Sequence, residues 1–141
     1  MKVLVVGAGG QLGSELMRAR WAPPIEVRGV DLPAFDLTDR AEVSRTVTEH
    51  QPAVIVYDVS IPYEQNWRLF EHFRDSPACR GVVFVVTTTN VQQLRKVAGP
   101  GPELHEIIGK PYDLDAVVSS VRGCLRQSGQ AREDSAEGLR H

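Results

Sequence analysis

The sequence predicts an α/β domain in which a doubly wound, five-stranded parallel sheet lies between two layers of helices. Five short, apolar, β-branched runs recur along the chain, and each is followed by a stretch in which apolar residues have helical spacing. The runs VLVV, VIVY and VVFVV are apolar at successive positions, which is typical of central strands that are covered by helices on both faces. With 141 residues, the chain has room for one domain with one shared core.

The predicted strands alternate with predicted helices along the chain. The strands are expected at residues 2–6, 25–31, 53–57, 82–86 and 105–108. A short additional strand over residues 34–37 could flank the second of them. Because strand and helix alternate five times, the five main strands are expected to run parallel to one another.

The helices carry recognisable start signals. Thr38 is placed to cap the second helix and Asn90 the fourth, and the third is expected to begin at or near Asn66. Trp67 in the third helix is expected in the core. The last helix has Asp113 as its candidate N-cap. It carries five apolar residues on one stripe, which are Leu114, Val117, Val118, Val121 and Leu125.

Composition excludes several classes of function. The chain has 16 lysine and arginine residues against 18 aspartate and glutamate residues, so it lacks the basic excess that holds nucleic acid. No apolar run approaches the about 20 residues that span a bilayer, and the start lacks a secretory leader pattern, so we expect a cytoplasmic protein without a membrane segment. Cys79 and Cys124 lie outside any metal-ligand spacing and are expected to be reduced. Residues 127–141 are polar, small and charged, which predicts a disordered tail after a single domain at 1–126.

A glycine-rich turn, GAGGQLG, follows the first predicted strand and opens a helix. Gly7 would make the tight turn, Gly10 would let the backbone approach a pyrophosphate, and Gly13 would permit close packing of helix on strand. Asp31, at the end of the second strand, could accept a hydrogen bond from an adenosine ribose hydroxyl, which favours NAD over NADP. The alternative is that the glycines only make a tight turn between strand and helix, and both interpretations stay open.

With the VVGAGGQLGSEL run, the Asp31 strand end and the later FDLTD segment, residues 1–50 resemble the start of dTDP-4-dehydrorhamnose reductases and related extended short-chain dehydrogenases. The resemblance implies that Asp36 and Leu37 lie near the adenine of bound NAD. The catalytic Tyr-x-x-x-Lys pair of that family is missing, because none of the three tyrosines is followed by a lysine four residues later. The resemblance therefore implies a dinucleotide-binding module without reductase activity.

Polar side chains also stand at the ends of the last three predicted strands. Asp58 follows the third strand, Thr87 the fourth and Lys110 the fifth. Because the carboxyl ends of parallel strands meet at one edge of a sheet, a carboxylate, a hydroxyl and an ammonium group are expected to lie together there. This trio suits phosphoryl transfer to the carboxylate, since lysine neutralises phosphoryl oxygens and threonine donates a hydrogen bond to them.

With VIVYDVSIP, the FVVTT strand end and the IIGKPY run, residues 51–126 resemble response-regulator receiver domains. The resemblance implies that Asp58 is the phosphoacceptor and that Thr87 is the conformational-switch hydroxyl, with Thr88 one step out of register. It implies that Lys110 contacts the phosphoryl group. It also implies a histidine kinase or another signalling protein as the partner.

The chain departs from receiver domains at two positions. Receivers carry an acidic pair directly after the first strand to hold Mg²⁺, and here those positions are Gly7 and Ala8. Because Mg²⁺ binds through carboxylates and substrate phosphate, Asp58 is expected to bind it weakly at best. The usual aromatic switch position is Ile107. We therefore expect a domain that is not an enzyme, or barely one.

Together these patterns predict a hybrid of a dehydrogenase-like half, residues 1–50, and a receiver-like half, residues 51–126, of natural or engineered origin. In both families the strand after the second helix lies beside the first strand. This predicts one Rossmann-like or flavodoxin-like sheet with the strand order 2-1-3-4-5. The leading hypothesis is a receiver-like signalling or scaffold domain with a degenerate pocket at Asp58. The alternatives are a catalytically inactive NAD-binding module and a folded chimera without a ligand.

Overall fold

A computed structural model of the chain describes residues 1–7, 11–19, 21, 25–31, 39–59, 61–88, 90–98, 106–109 and 115–126. The strands are β1 (Lys2–Val6), β2 (Glu26–Val30), β3 (Val54–Val59), β4 (Val83–Thr88) and β5 (Glu106–Gly109). The helices are α1 (Gln11–Arg18), α2 (Arg40–His50), α3 (Tyr63–Arg74), α4 (Val91–Ala98) and α5, over residues 115–126. A single 3₁₀ turn, Pro77–Cys79, stands between α3 and β4.

The strands form one parallel sheet in the order β2-β1-β3-β4-β5. The predicted α/β class with a parallel sheet is confirmed. β3 and β4 are each two residues longer at their carboxyl ends than the sequence predicts. Asp58 and Thr87 consequently lie within paired strands rather than in the loops after them. The predicted additional strand at residues 34–37 lies outside the described residues.

The strands β1 to β4 contribute alternate side chains to two separate apolar layers, because successive residues of a strand point to opposite faces of the sheet. On one face, here called the α2–α4 face, Leu4 and Val6 pack with side chains of α2, α3 and α4. On the other, the α1/α5 face, Val3 and Val5 pack with side chains of α1 and α5. Both faces of β1 are therefore buried from Val3 to Val6, which explains why these four positions are all apolar.

An aromatic cluster fills the α2–α4 face. Trp67 is 2% exposed and lies in the core, as predicted. Phe70 is at the centre of the cluster, since its ring centroid is 4.9 Å from that of Trp67, 5.0 Å from that of Tyr57 and 5.4 Å from that of Phe84. The contacts of Phe70 with Tyr57 and Phe84 are edge-to-face, which is a favoured geometry of aromatic pairs. The cluster anchors α3 on the sheet next to Asp58.

The second helix begins one residue later than its predicted cap implies. Its N-cap is Asp39, whose carboxylate accepts hydrogen bonds from the backbone N–H groups of Ala41 and Glu42 at 3.0 and 3.2 Å. The prediction of Thr38 as the cap is wrong, and Thr38 itself lies outside the described residues. Asp39 has the extended backbone that an N-cap requires, with φ −89° and ψ 102°.

The third helix begins at Tyr63, three residues before the predicted Asn66. Its first hydrogen-bonded turn runs from the Asn66 N–H to the Pro62 carbonyl, at 3.0 Å. The sequence pattern missed this turn because it adds only the partly buried Tyr63 to the core, whereas the buried residues of α3 start at Trp67. The predicted cap of the fourth helix is confirmed, since Asn90 Oδ1 accepts a hydrogen bond from the Gln93 N–H at 3.0 Å.

The last helix buries the stripe that the sequence predicts, as far as the stripe is described. Its buried apolar side chains include Val117, Val118, Val121 and Leu125. Asp113, Leu114 and the predicted tail at 127–141 lie outside the described residues. Within the part of the chain that the structure describes, no helix combines the length and apolar character that crossing a membrane requires. Cys79 and Cys124 are buried and are not joined in a disulfide.

Candidate functional site

Asp58 and Thr87 form a hydrogen-bonded pair at the carboxyl edge of the sheet. They face each other in the parallel ladder between β3 and β4, and Thr87 Oγ1 donates to Asp58 Oδ1 at 2.7 Å. Thr87 is fully buried, whereas Asp58 is exposed to solvent. The hydroxyl of Thr87 therefore meets its hydrogen-bonding requirement through Asp58, which holds one carboxylate oxygen in a fixed position.

Thr88 is on the other side of the sheet. Because side chains alternate along a strand, Thr87 shares the α1/α5 face with Val85, and Thr88 shares the α2–α4 face with Val86. The Thr88 hydroxyl accepts a hydrogen bond from the Asn90 N–H at 3.3 Å, so it helps to hold the start of α4. Thr87 is accordingly the threonine that reaches Asp58.

The third member of the predicted trio, Lys110, lies outside the described residues. The strand that leads to it is described, and Gly109 pairs with Thr88 in the ladder between β4 and β5. Ile107 stands at the position where receiver domains usually carry an aromatic switch residue. It pairs with Val86 in the same ladder, two residues before the pair of Gly109 with Thr88. The structure thus brings two of the three predicted phosphoryl-site residues together.

Gly7 makes a turn directly after β1, in a conformation that few other residues adopt. Its φ is +88°, and its N–H donates to the Val30 carbonyl at 2.9 Å. A Cβ built at Gly7 meets no atom within 4 Å. The need for glycine therefore comes from the backbone conformation and not from crowding. This hydrogen bond ties the end of β1 to the end of β2.

The other predicted dinucleotide residues are described only in part. Asp31 follows Val30 directly and is exposed, so it lies at the same edge of the sheet as the turn at Gly7. Gly13 is buried within α1. Gly10, Asp36 and Leu37 lie outside the described residues.

The described residues at this edge fit Mg²⁺ poorly. Gly7 stands where receiver domains carry the first acid, and it supplies no carboxylate; Ala8 lies outside the described residues. Among the described residues, no group of three or more His, Cys, Asp or Glu side chains is arranged to hold a metal ion. Asp58 is the carboxylate beside Thr87, and one carboxylate is a weak site for a cation that binds through several oxygens.

Tyr57, the residue before Asp58, points into the core. It is 4% exposed, and its ring packs against Phe70 and Phe73. Burial raises the pKa of its hydroxyl well above the usual value. The catalytic tyrosine of a reductase gives a proton to the substrate. Tyr57 is poorly placed for that role, because its hydroxyl is buried and its pKa is raised.

Sequence reasoning missed the polar contact between Arg40 and His72. Arg40, at the start of α2, donates from Nε to Nε2 of His72 in α3 at 3.0 Å. The two residues are 32 positions apart, and neither belongs to a recognisable motif. No signal in a single sequence could have paired them, because the packing of α2 against the end of α3 sets their separation.

Comparison with known proteins gives similarity to two families. A family model described as the RmlD substrate binding domain matches residues 1–59. The dTDP-4-dehydrorhamnose reductase of Streptomyces griseus is 27% identical over 150 aligned residues, which cover 90% of this chain and 43% of that protein. The transcriptional regulatory protein PrrA of Mycobacterium bovis is 28% identical over 119 residues, which cover 79% of this chain and 48% of that protein. The chain spans about half the length of these curated relatives, or less.

Among solved structures, a signal receiver domain from Vibrio parahaemolyticus superposes with a TM-score of 0.64 at 17% sequence identity, covering 96% of each chain. At this identity the similarity shows the fold alone. The reductase match extends past residue 50 to residue 59, and the PrrA match covers more of the chain than residues 51–141 could supply. The two similarities therefore overlap. The chain combines similarity to dTDP-4-dehydrorhamnose reductases, with a family-model match over its first 59 residues, with the sequence similarity and fold of response-regulator receivers.

Proposed function

We propose that the chain is a receiver-like signalling or scaffold domain in which Asp58 is the phosphoacceptor of a degenerate pocket. The observation that carries the proposal is the 2.7 Å hydrogen bond from Thr87 Oγ1 to Asp58 Oδ1 at the carboxyl edge of a parallel sheet. Edges of this kind bind ligands in doubly wound folds. Similarity to PrrA and to a receiver-domain structure supports the same interpretation.

The proposed chemistry is transfer of a phosphoryl group to Asp58. A carboxylate oxygen attacks the phosphorus, and the bond from phosphorus to the leaving group breaks with its electron pair on the leaving group. Oδ1 accepts the Thr87 hydrogen bond, so Oδ2 is the nucleophile. Thr87 can then donate to a phosphoryl oxygen, and Lys110 neutralises the phosphoryl charge. A histidine kinase is the class of partner that would supply the phosphoryl group.

The poor fit to Mg²⁺ limits this activity. With glycine at position 7, the phosphoryl oxygens lose the charge compensation that a tightly held cation gives. We therefore propose slow or undetectable phosphorylation, and a domain that acts mainly as a folded scaffold for a signalling partner. Mg²⁺ is at most a weakly held cofactor.

The test is to incubate the chain with acetyl phosphate, or with beryllofluoride, at millimolar Mg²⁺. Acetyl phosphate would add the mass of one phosphoryl group, and beryllofluoride would shift the NMR amide signals of Asp58 and Thr87. Asp58→Asn is the control, because it keeps the shape of the side chain without the nucleophilic carboxylate. A response that persists in Asp58→Asn contradicts the assignment, and the absence of any response in the wild type leaves the scaffold role alone.

A second candidate function is a dinucleotide-binding module without chemistry. It is favoured by the turn at Gly7, with its φ of +88° and its hydrogen bond to Val30, beside the carboxylate of Asp31. The match of residues 1–59 to the reductase family model supports it. NAD, rather than NADP, is the dinucleotide proposed, because the charge of Asp31 disfavours a 2′-phosphate.

Calorimetry with NAD tests this candidate in the wild type and in Asp58→Ala. A pyrophosphate held by the glycine turn would lie near the Asp58 carboxylate. Two unit charges about 6 Å apart at an effective dielectric of about 20 repel by about 3 kcal/mol. Removal of the Asp58 carboxylate should therefore strengthen NAD binding. The absence of binding heat in both proteins excludes the dinucleotide module. If phosphorylation is absent as well, the remaining interpretation is a folded hybrid without a ligand.

A further inference from the structure

A cavity of about 300 Å³ lies between the start of α2 and the end of α3, and neither proposed function uses it. Its lining combines apolar side chains with polar ones, and includes Arg40, Val43, His72, Phe73, Asp75 and Pro77. Val43 and Phe73 belong to the buried core of the α2–α4 face, so the exposed apolar surface of the lining comes from Ala41 and Pro77. A cavity of this size with a few converging polar groups is typical of a small-molecule site.

The contact between Arg40 and His72 leaves a hydrogen-bond donor badly matched. Nε of Arg40 is 3.0 Å from Nε2 of His72, and Nη2 of Arg40 is 3.3 Å from Nδ1 of the same ring. A neutral imidazole accepts at one nitrogen and carries a proton on the other. One of the two Arg40 donors therefore faces a ring nitrogen that has no acceptor to offer it.

A carboxylate suits this edge of Arg40 better than an imidazole does. Its two oxygens match the two parallel N–H donors of a guanidinium group, and such bidentate pairs are among the strongest hydrogen bonds in proteins. Within the described ranges, the ion pairs are Arg68–Glu64, Arg74–Glu71 and Arg74–Asp75, so no carboxylate of the chain occupies Arg40 there.

The remaining acids near the cavity are already engaged. Asp39 caps α2 by accepting from two backbone N–H groups. Asp75, which lines the cavity, accepts from Nε of Arg74 at 3.5 Å, and this partly offsets its repulsion of a bound anion. Arg40 thus remains the group in this lining that can take an added negative charge.

We propose that this cavity binds a small carboxylic acid with an aromatic or branched apolar body. The carboxylate takes the place of the His72 ring on Nε and Nη2 of Arg40, and the apolar body lies against Ala41 and Pro77, the exposed apolar residues of the lining. The ring of His72 must turn away for binding, so it competes with the ligand. The site is separate from the edge of the sheet at Asp58.

The test uses benzoate, with binding followed by NMR shifts of the amides that line the cavity. Benzyl alcohol, which lacks the charge, and acetate, which lacks the ring, should bind much more weakly. Arg40→Gln should weaken benzoate binding by about tenfold, the value of one strong charge-assisted contact. The matched control is Arg45→Gln, which removes an exposed arginine from the same helix and should leave binding unchanged. His72→Ala should strengthen binding, because it removes the competing ring.

The proposal is overturned if benzoate gives no saturable shifts, if Arg45→Gln weakens binding as much as Arg40→Gln, or if His72→Ala abolishes binding in a protein that is still folded. Circular dichroism establishes folding for each variant. Asp58→Asn should bind benzoate like the wild type. A failure at Asp58 in the phosphorylation test and a failure at Arg40 here are therefore distinguishable.

Discussion

Thr87, a fully buried side chain of β4, donates its hydroxyl to the exposed carboxylate of Asp58 across the register of two parallel strands. The bond spans 29 residues of sequence and joins a side chain that water cannot reach to one that it can. Removal of the Asp58 carboxylate would leave the buried Thr87 hydroxyl without its hydrogen-bond partner in the core. The contribution of this bond to stability therefore comes mainly from the burial of Thr87.

Thr87→Val should lower the free energy of unfolding by about 1 kcal/mol, the usual net value of one hydrogen bond. Valine keeps the shape of the side chain and removes the donor. Urea denaturation of Thr87→Val, Asp58→Ala and the double variant measures the coupling directly. Additive losses in this cycle would mean that the hydrogen bond contributes nothing to stability.

Gly7→Asp should restore an acid beside Asp58 at a cost in stability. Because φ is +88° at Gly7, an L side chain there costs on the order of 1–2 kcal/mol, even though a Cβ meets open space. Gly123→Ala is the matched control: it also meets open space, but it lies in α5 without positive φ and should stabilise the chain by about 0.5–1 kcal/mol. Denaturant titration of both variants measures the change in the free energy of unfolding. If both variants gain stability, or both lose it, the argument from the backbone conformation at Gly7 is contradicted.

His50 should make stability depend on pH. Burial at the end of α2 lowers its pKa below 6.5, although a contact with the Val3 carbonyl at 3.4 Å raises it in part. Between the folded pKa and 6.5 the unfolded chain binds the proton more strongly, so the free energy of unfolding falls as pH falls through this window. Above pH 6.5 the contribution is fully present. Denaturation at a series of pH values should give a flatter profile for His50→Gln, and identical profiles would remove His50 as the cause.

Phe70→Leu should destabilise the chain more than Phe84→Leu. Both side chains are buried in the aromatic cluster, but Phe70 contacts the rings of Trp67, Tyr57 and Phe84, whereas Phe84 contacts those of Phe70 and Phe73. Each ring pair contributes about 0.5–1.5 kcal/mol beyond the area that it buries. Thermal unfolding compares the two variants, and an equal loss would show that aromatic geometry adds little to burial here.

Much of this fold follows from local sequence. Runs such as VLVV are apolar at successive positions because both of their faces are buried, so strand positions could be read to within one or two residues. The meeting of Asp58 and Thr87 also followed, since parallel strands end at a common edge. The strand positions and the meeting of Asp58 with Thr87 could both be predicted because each depends on a short, local run of residues.

Features set by the backbone or by packing could not be read in this way. Thr38 and Asp39 are both good capping residues by type, and the extended backbone and two accepted hydrogen bonds at Asp39 identify it as the cap. The first turn of α3 contributes only the partly buried Tyr63 to the core and so left no helical pattern of buried residues. The meeting of Arg40 with His72 depends on how two helices lie against each other, which no local sequence signal records.

The ladder between β1 and β3 has a consequence for any attempt to divide this chain. Val3 to Val6 pair with Val54 to Tyr57, so a central seam of the sheet joins residues before position 50 to residues after it. A cut near residue 50 would leave the edges of β1 and β3 bare, which invites aggregation. Fragments made by such a cut are therefore expected to fold together rather than as independent pieces.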